Sequence, residues 1–201
     1  MSTAKTDSDD YLKKLDQIIA EVITPEAEGV DRSGKFPREG VRALGRAGLL
    51  GLISSSEVGG LGQSHRAAAQ VVERIAGACA STAMVVCMHY AGAAVIEAHG
   101  RREVREHLAS GEHVTTLAFS EKGSRSQFWA PTSTAVRSDG QVQLDAQKSW
   151  VTSAGQADSY VWSSLPLAAE GASTIWLVPA NVEGLSIPFQ FEGLGLRGNH
   201  S

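Results

Sequence analysis

"LASGEHVTTLAFSE", Leu108 to Glu121, is the stretch in which the periodicity of the chain changes. Before it, apolar residues recur at helical spacing: Leu12, Leu15, Ile19 and Val22 fall on one face, and Val71, Val72, Ile75 and Cys79 on another. From Thr115 the period becomes two. "TTLAF", "TSTAVRS", "QVQLD", "KSWVT", "SYVWSS" and "STIWLVP" are short, rich in β-branched and aromatic residues, and separated by Gly, Asp, Ser and Pro. The stretch thus divides an N-terminal all-α helical domain, residues 1–113, from an antiparallel β-barrel or sandwich domain, residues 114–201. Helices segregated from strands in this way define an α+β fold rather than a doubly wound sheet.

Local signals refine both units. Pro25 is expected to close the first helix, and Pro37 to open a second that carries Val41, Leu44 and Leu49. "SSSEVGGLGQS" is a loop by composition, and Ser64 at its end is a candidate N-cap. The segment from Ser81 to His99 is apolar nearly all round, which predicts a helix surrounded by others; Arg101 to Leu108 is a short charged helix. Asp139-Gly140 predicts a hairpin, because both central positions of a type I′ turn need positive φ. In "KSWVTSAGQAD", Lys148 to Asp158, strand alternation places Lys148, Trp150 and Thr152 on one face before a turn of small residues.

Totals exclude several classes. The 201 residues are 42% hydrophobic, with a net charge of −4 and a pI near 5.9. That composition buries a core, and no Lys/Arg cluster interleaved with aromatics marks a nucleic-acid binder. Cys79 and Cys87 lack zinc-site spacing and read as buried free thiols of a reducing cytosol. The apolar run from Ala83 to Ile96 is interrupted and falls short of the ~20 residues of a bilayer span. The polar, acidic N-terminus has no signal or transit character, so a cytoplasmic location is expected.

Most motif candidates dissolve on inspection. "GLGLRG", Gly193 to Gly198, has the spacing of a dinucleotide fingerprint but not its strand and helix context, and reads as a glycine-rich connector. Gly59-Gly60-Leu61-Gly62 reads as a turn. The six histidines include no i, i+4 pair with a glutamate, and His89 reads as a satisfied core histidine. No G-x-S-x-G elbow supports a nucleophilic serine. Two polar segments of the β unit remain, "AFSEKGSRS" from Ala118 and "KSWVTSAGQAD". An indole beside a hydroxyl is a wall suited to a flat heteroaromatic ring with polar edges, and a flavin is such a ring.

At these residues the chain resembles the acyl-CoA dehydrogenase family, which carries segments like "TEPGAGSD" and "NGxKxWITNGxxAD". Here they stand as "SEKGSRSQ", Ser120 to Gln127, and "DAQKSWVTSAGQAD", Asp145 to Asp158. "SEVGGLGQS" is similar to the family's "PEEYGGLGLS" connector, "LASGEHVTTLAFSE" to its helix-to-sheet crossing, and "GLGLRGNHS" to its approach to the last domain. The match spans most of the chain, in order.

The resemblance implies FAD as cofactor. Ser120 would take the place of the Thr that bonds the flavin pyrimidine edge, with backbone groups near Phe119 and Ser120 adding contacts. Ser126 would meet the pyrophosphate, Trp150 would pack against the isoalloxazine, and Thr152 would bond near N5. Lys122, Arg125 and Gln127 depart from the family pattern, and Arg125 offers a cation to a phosphate, so Arg125 and Ser126 are the candidate substrate contacts. The resemblance further implies an acyl-CoA substrate, an electron-transfer flavoprotein or other oxidant as partner, and a homotetramer. The general base belongs to a C-terminal four-helix bundle that this sequence lacks, so no catalytic residue is assigned and the chain reads as truncated. Alternatives are a flavin-dependent monooxygenase of the same fold and a non-catalytic remnant.

Overall fold

The computed structural model describes residues 4–125, 127–167, 170–188 and 192–201. Helix α1 (Ala4–Ile18) does not stop at Pro25. It runs through a π turn, Ile19–Ile23, into α2 (Thr24–Ser33). In that wider turn Thr24 N–H reaches back to Ile19 O, and Pro25 falls in the first turn of α2, where a missing N–H is tolerated. The expected stop is thus a change of helical pitch.

The other helices start where expected, although the one after Pro37 ends before Leu49 and the one after Ser64 ends before Cys79. Helix α3 (Arg38–Arg46) starts directly after Pro37. Ser64 caps α4 (His65–Ala76), its hydroxyl accepting the Ala67 N–H at 3.4 Å. Next come α5 (Ala80–His99) and α6 (Arg102–Ser110). Leu15, Leu44, Leu49, Leu50, Val71 and Ile75 are sealed in the core of this α half.

Helix α5 is the spine. Its 20 residues meet the length of a membrane span, contrary to the sequence expectation, yet it packs on α4 and on the first strand. Gly92 sets the second approach: a Cβ there would come 2.9 Å from Thr115 Cγ2. The helix is not enclosed all round. Cys79 is buried as expected, but Cys87 is exposed, beside the half-buried Met84, Met88 and Ala91. An apolar sequence without a period hides which stripe is left open.

His89 joins the two halves. It is fully buried on α5, with Nδ1 accepting the Thr115 N–H at 3.2 Å and Nε2 donating to Leu50 O at 3.0 Å. Both ring nitrogens are used, as the core reading requires. Desolvation holds its pKa down at about 4, against the opposing pull of the Leu50 carbonyl.

In the β half, β1 (Thr115–Ala118) pairs with β4 (Ser159–Ser164), which pairs with β5 (Thr174–Pro179). The β1–β4 pairing is parallel, so this three-stranded sheet is mixed rather than wholly antiparallel, within the α+β arrangement expected. Alternation reports which face of a strand is buried and not its direction; the long connection from Phe119 to Asp158 permits the parallel return. Strands β2 (Thr134–Ser138) and β3 (Gln141–Asp145) form a separate hairpin. Asp139 and Gly140 turn it at φ 51° and 77°, as a type I′ turn demands.

The chain then returns to the α half. Gly198 N–H donates to Ser81 Oγ at 3.2 Å, and His200 Nε2 lies 3.1 Å from Gly34 O. Asn199 O accepts the Ser153 N–H at 2.8 Å, so "GLGLRG" leads into a strap across both units.

Candidate functional site

The two polar segments singled out in the sequence lie side by side. Ser149 N–H donates to Ser120 O at 2.9 Å, Lys122 N–H to Gln147 O at 3.1 Å, and between them Glu121 and Lys148 form a single antiparallel bridge. "KSWVT" is therefore not a regular strand. Trp150 and Ser153 take left-handed backbone angles, φ 57° and 64°, and residues 152–156 turn. A bulky aromatic residue rarely adopts that region, so the neighbouring contacts must hold it there. Face-sharing fails in consequence. The Lys148 side chain is 4% exposed, Trp150 is 66% exposed and Thr152 is 4% exposed.

Trp150 stands on the rim of a cavity of about 790 Å³, a volume typical of small-molecule and cofactor sites. Ala118, Tyr160 and Trp162 from β1 and β4 supply its apolar wall; Lys122, Gly123 and Arg125 supply one side. Arg125 is exposed at φ 52°, and Gly123, at φ 93°, has open space where a side chain would be. Trp162 Nε1–H is buried without a hydrogen-bond partner among the described residues. An apolar wall with a few cations and an unspent donor favours a ring that carries phosphate.

The remaining predicted residues divide. Ser120 is half-buried, its carbonyl spent on Ser149 N–H. Phe119 turns its side chain away, onto the cluster of Ala93, Ile96 and Val161 beneath α5, which leaves its backbone as the available part. The Thr152 hydroxyl lies 3.2 Å from that of Ser201, and Ser201, not Thr152, reaches the cavity wall. Ser126 lies outside the described residues.

Beneath the cavity is a feature that sequence reasoning missed. The Glu121 carboxylate, whose side chain is 2% exposed, accepts from Thr132 N–H at 2.7 Å, Ser133 N–H at 2.9 Å and Ser133 Oγ at 2.6 Å. Thr132 Oγ1 and the Lys148 ammonium also donate to it. Lys148 Nζ donates on to Ser163 O at 2.7 Å and sits 5.1 Å from the Trp162 ring centre. Burial pushes the carboxyl upward, but the donors led by Lys148 outweigh it and hold its pKa at about 2. Desolvation draws the Lys148 ammonium downward, and Glu121 restores part of that loss. Five donors on one carboxylate keep the pair ionised. Its sequence signal was one Glu and one Lys in two segments assigned to the same cofactor.

Comparison with known proteins finds two family domains along the chain. The acyl-CoA dehydrogenase N-terminal domain matches residues 6–112, and the acyl-CoA dehydrogenase middle domain residues 116–201. A probable acyl-CoA dehydrogenase of Bacillus subtilis, YngJ, is 26% identical over 187 residues, covering 89% of this chain and 49% of that protein. The human mitochondrial short-chain specific acyl-CoA dehydrogenase is 30% identical over 184 residues, covering 87% and 44%. The solved butyryl-CoA dehydrogenase of Megasphaera elsdenii superposes with a TM-score of 0.86 at 19% identity, over 96% of this chain and 53% of that one. The chain spans about half the length of the curated relatives it matches. With both domain types matched in order over nearly its whole length, the chain belongs to the acyl-CoA dehydrogenase family.

Proposed function

We propose that the cavity beside Trp150 receives FAD, and that the complete protein carries out α,β-dehydrogenation of an acyl-CoA thioester. The exposed indole carries this reading: a tryptophan held by its surroundings in a left-handed conformation presents a flat ring at the rim of the cavity. The volume, the open backbone at Gly123 and the unspent Trp162 donor support the fit.

When bound, FAD would supply the acceptor for the hydride leaving the β-carbon. The chain's own residues bind and orient. Trp150 would stack on the ring system, and Ser120 with the Phe119 backbone would meet its polar edge. Thr152 would reach N5 only with its hydroxyl released from Ser201. Lys122 and Arg125 would neutralise phosphate, Arg125 and Ser126 serving pyrophosphate or the acyl-CoA. The base that takes the α-proton would lie in the half of the relatives' length that this chain does not span. An electron-transfer flavoprotein as oxidant, a homotetrameric assembly and a cytoplasmic location complete the proposal.

The test is reconstitution. Purified chain mixed with FAD should retain flavin absorbance through gel filtration and quench flavin fluorescence, and Trp150→Ala should weaken binding about tenfold. A chain that retains no flavin, or a Trp150→Ala variant with unchanged affinity, overturns the assignment. For the complete protein, anaerobic bleaching by an acyl-CoA distinguishes the dehydrogenase from a monooxygenase.

A further inference from the structure

We infer that Glu121 and Lys148 are positioning residues: their buried ion pair locks the register between the 118–122 and 147–150 segments and so holds the Trp150 indole at the cavity rim. The inference deepens the flavin reading given above and rests on it for its function. A single antiparallel bridge, made by two backbone hydrogen bonds, pairs these segments among the described residues. Such a short pairing specifies register weakly, and a slip of one residue would part Glu121 from Lys148 and shift the turn that carries Trp150.

A buried ion pair is a poor choice for stability alone, since apolar residues of similar volume commonly serve as well. It is a good choice for register. The carboxylate finds its five donors, and the ammonium its Ser163 carbonyl, in one alignment only. Any slip strands both charges where little water reaches them, their side chains being 2% and 4% exposed. The lock also draws together four pieces of the chain: the segment after β1, the Thr132–Ser133 approach to β2, the Lys148 segment, and the end of β4 at Ser163. On the far side of Trp150, Ser153 and Ala154 N–H groups donate to Asn199 and His200 carbonyls at 2.8 and 2.9 Å. The indole is thus tethered before and after, which is what its left-handed backbone requires.

The test reads indole position without flavin. The chain is labelled with 5-fluorotryptophan and followed by ¹⁹F NMR, its four tryptophans being Trp129, Trp150, Trp162 and Trp176. Trp150→Phe assigns the Trp150 line, and Trp176, bonded to Ser164, reports the intact sheet. Glu121→Gln should shift and broaden the Trp150 line while Trp176 stays in place, and should weaken FAD binding about tenfold. Glu121→Gln with Lys148→Met should recover melting temperature without returning the Trp150 line. A Trp150 line unmoved in folded Glu121→Gln overturns the inference, as does one that tracks melting temperature through every variant. If Glu121→Gln does not fold, Thr132→Ala removes one donor: a smaller displacement of the Trp150 line supports the lock, and none overturns it. A wild-type chain that takes up no FAD sinks the flavin reading but leaves the indole measurement standing.

Discussion

The α half packs Leu15, Leu44, Leu49, Leu50 and Leu52 with no charged side chain among them, whereas the β half is built round Glu121, Lys148, Ser133 and Ser163 beside a small cluster at Tyr160 and Trp162. The first is a core in which each residue contributes roughly by its volume. The second concentrates its dependence in one charged pair and leaves Val136, Ile175 and Leu177 in solvent. A surface meant to meet something else can be built the second way, because polar contacts fix geometry where apolar contacts only fill space.

Two substitutions should break this contrast most visibly. Lys148→Met strands the Glu121 carboxylate and should cost about 3–5 kcal/mol, the penalty for halving a buried ion pair. Urea denaturation measures it, and a loss below about 1 kcal/mol would mean that water reaches the carboxylate in the folded state. Leu44→Ala should cost about 2–5 kcal/mol by opening a cavity in the α half, while Val136→Ala, at an exposed β position, should stay within about 0.5 kcal/mol. Equal costs for Leu44→Ala and Val136→Ala would erase the distinction between the halves.

The same contrast explains what could be read from the sequence. Helices α3 to α6 were legible because burial on one face imposes a 3.6-residue period and because Pro37 and Ser64 act within one turn of themselves. Pro25 misled because the π turn before it is invisible to periodicity. The strands were legible as segments, yet β1 meets β4 in parallel, a choice made across more than forty residues of sequence that alternation does not encode. At the site, motif resemblance assigned Ser120 and Trp150 to one cofactor, and their segments meet at the Ser149 to Ser120 backbone hydrogen bond. It missed the Glu121–Lys148 lock beneath them, since a local reading of Trp150 as strand put Lys148 on the wrong face.

His89 carries the next effect, at the seam between the halves. Its pKa is about 4 when folded and near 6.5 unfolded, so between these values the unfolded chain binds the extra proton. Stability is therefore full above about pH 6.5 and declines as pH falls toward 4, by on the order of 3 kcal/mol. Glu121, held at about 2, extends the decline below pH 4.5, because its stabilisation fades as the carboxylate protonates. His89→Gln, which can accept from Thr115 and donate to Leu50, should flatten the upper part of this acid limb and leave the lower part. A limb unchanged in His89→Gln would place the titration elsewhere.

The smallest effect isolates a turn from everything around it. Gly140 sits at φ 77° with no heavy atom within 4 Å of where a Cβ would be, so Gly140→Ala meets no clash and changes only backbone freedom. The left-handed angle should cost about 1 kcal/mol. That cost falls on a two-stranded hairpin, which is marginal by itself, and β2–β3 has no third strand among the described residues. Amide exchange should therefore quicken along Thr134–Asp145 and stay unchanged in β4, whose neighbours are β1 and β5. Exchange that quickened in both sheets together would make the hairpin part of the site's framework, with Ser133 as the connection, since it hydrogen-bonds both Glu121 and the Ser163 carbonyl.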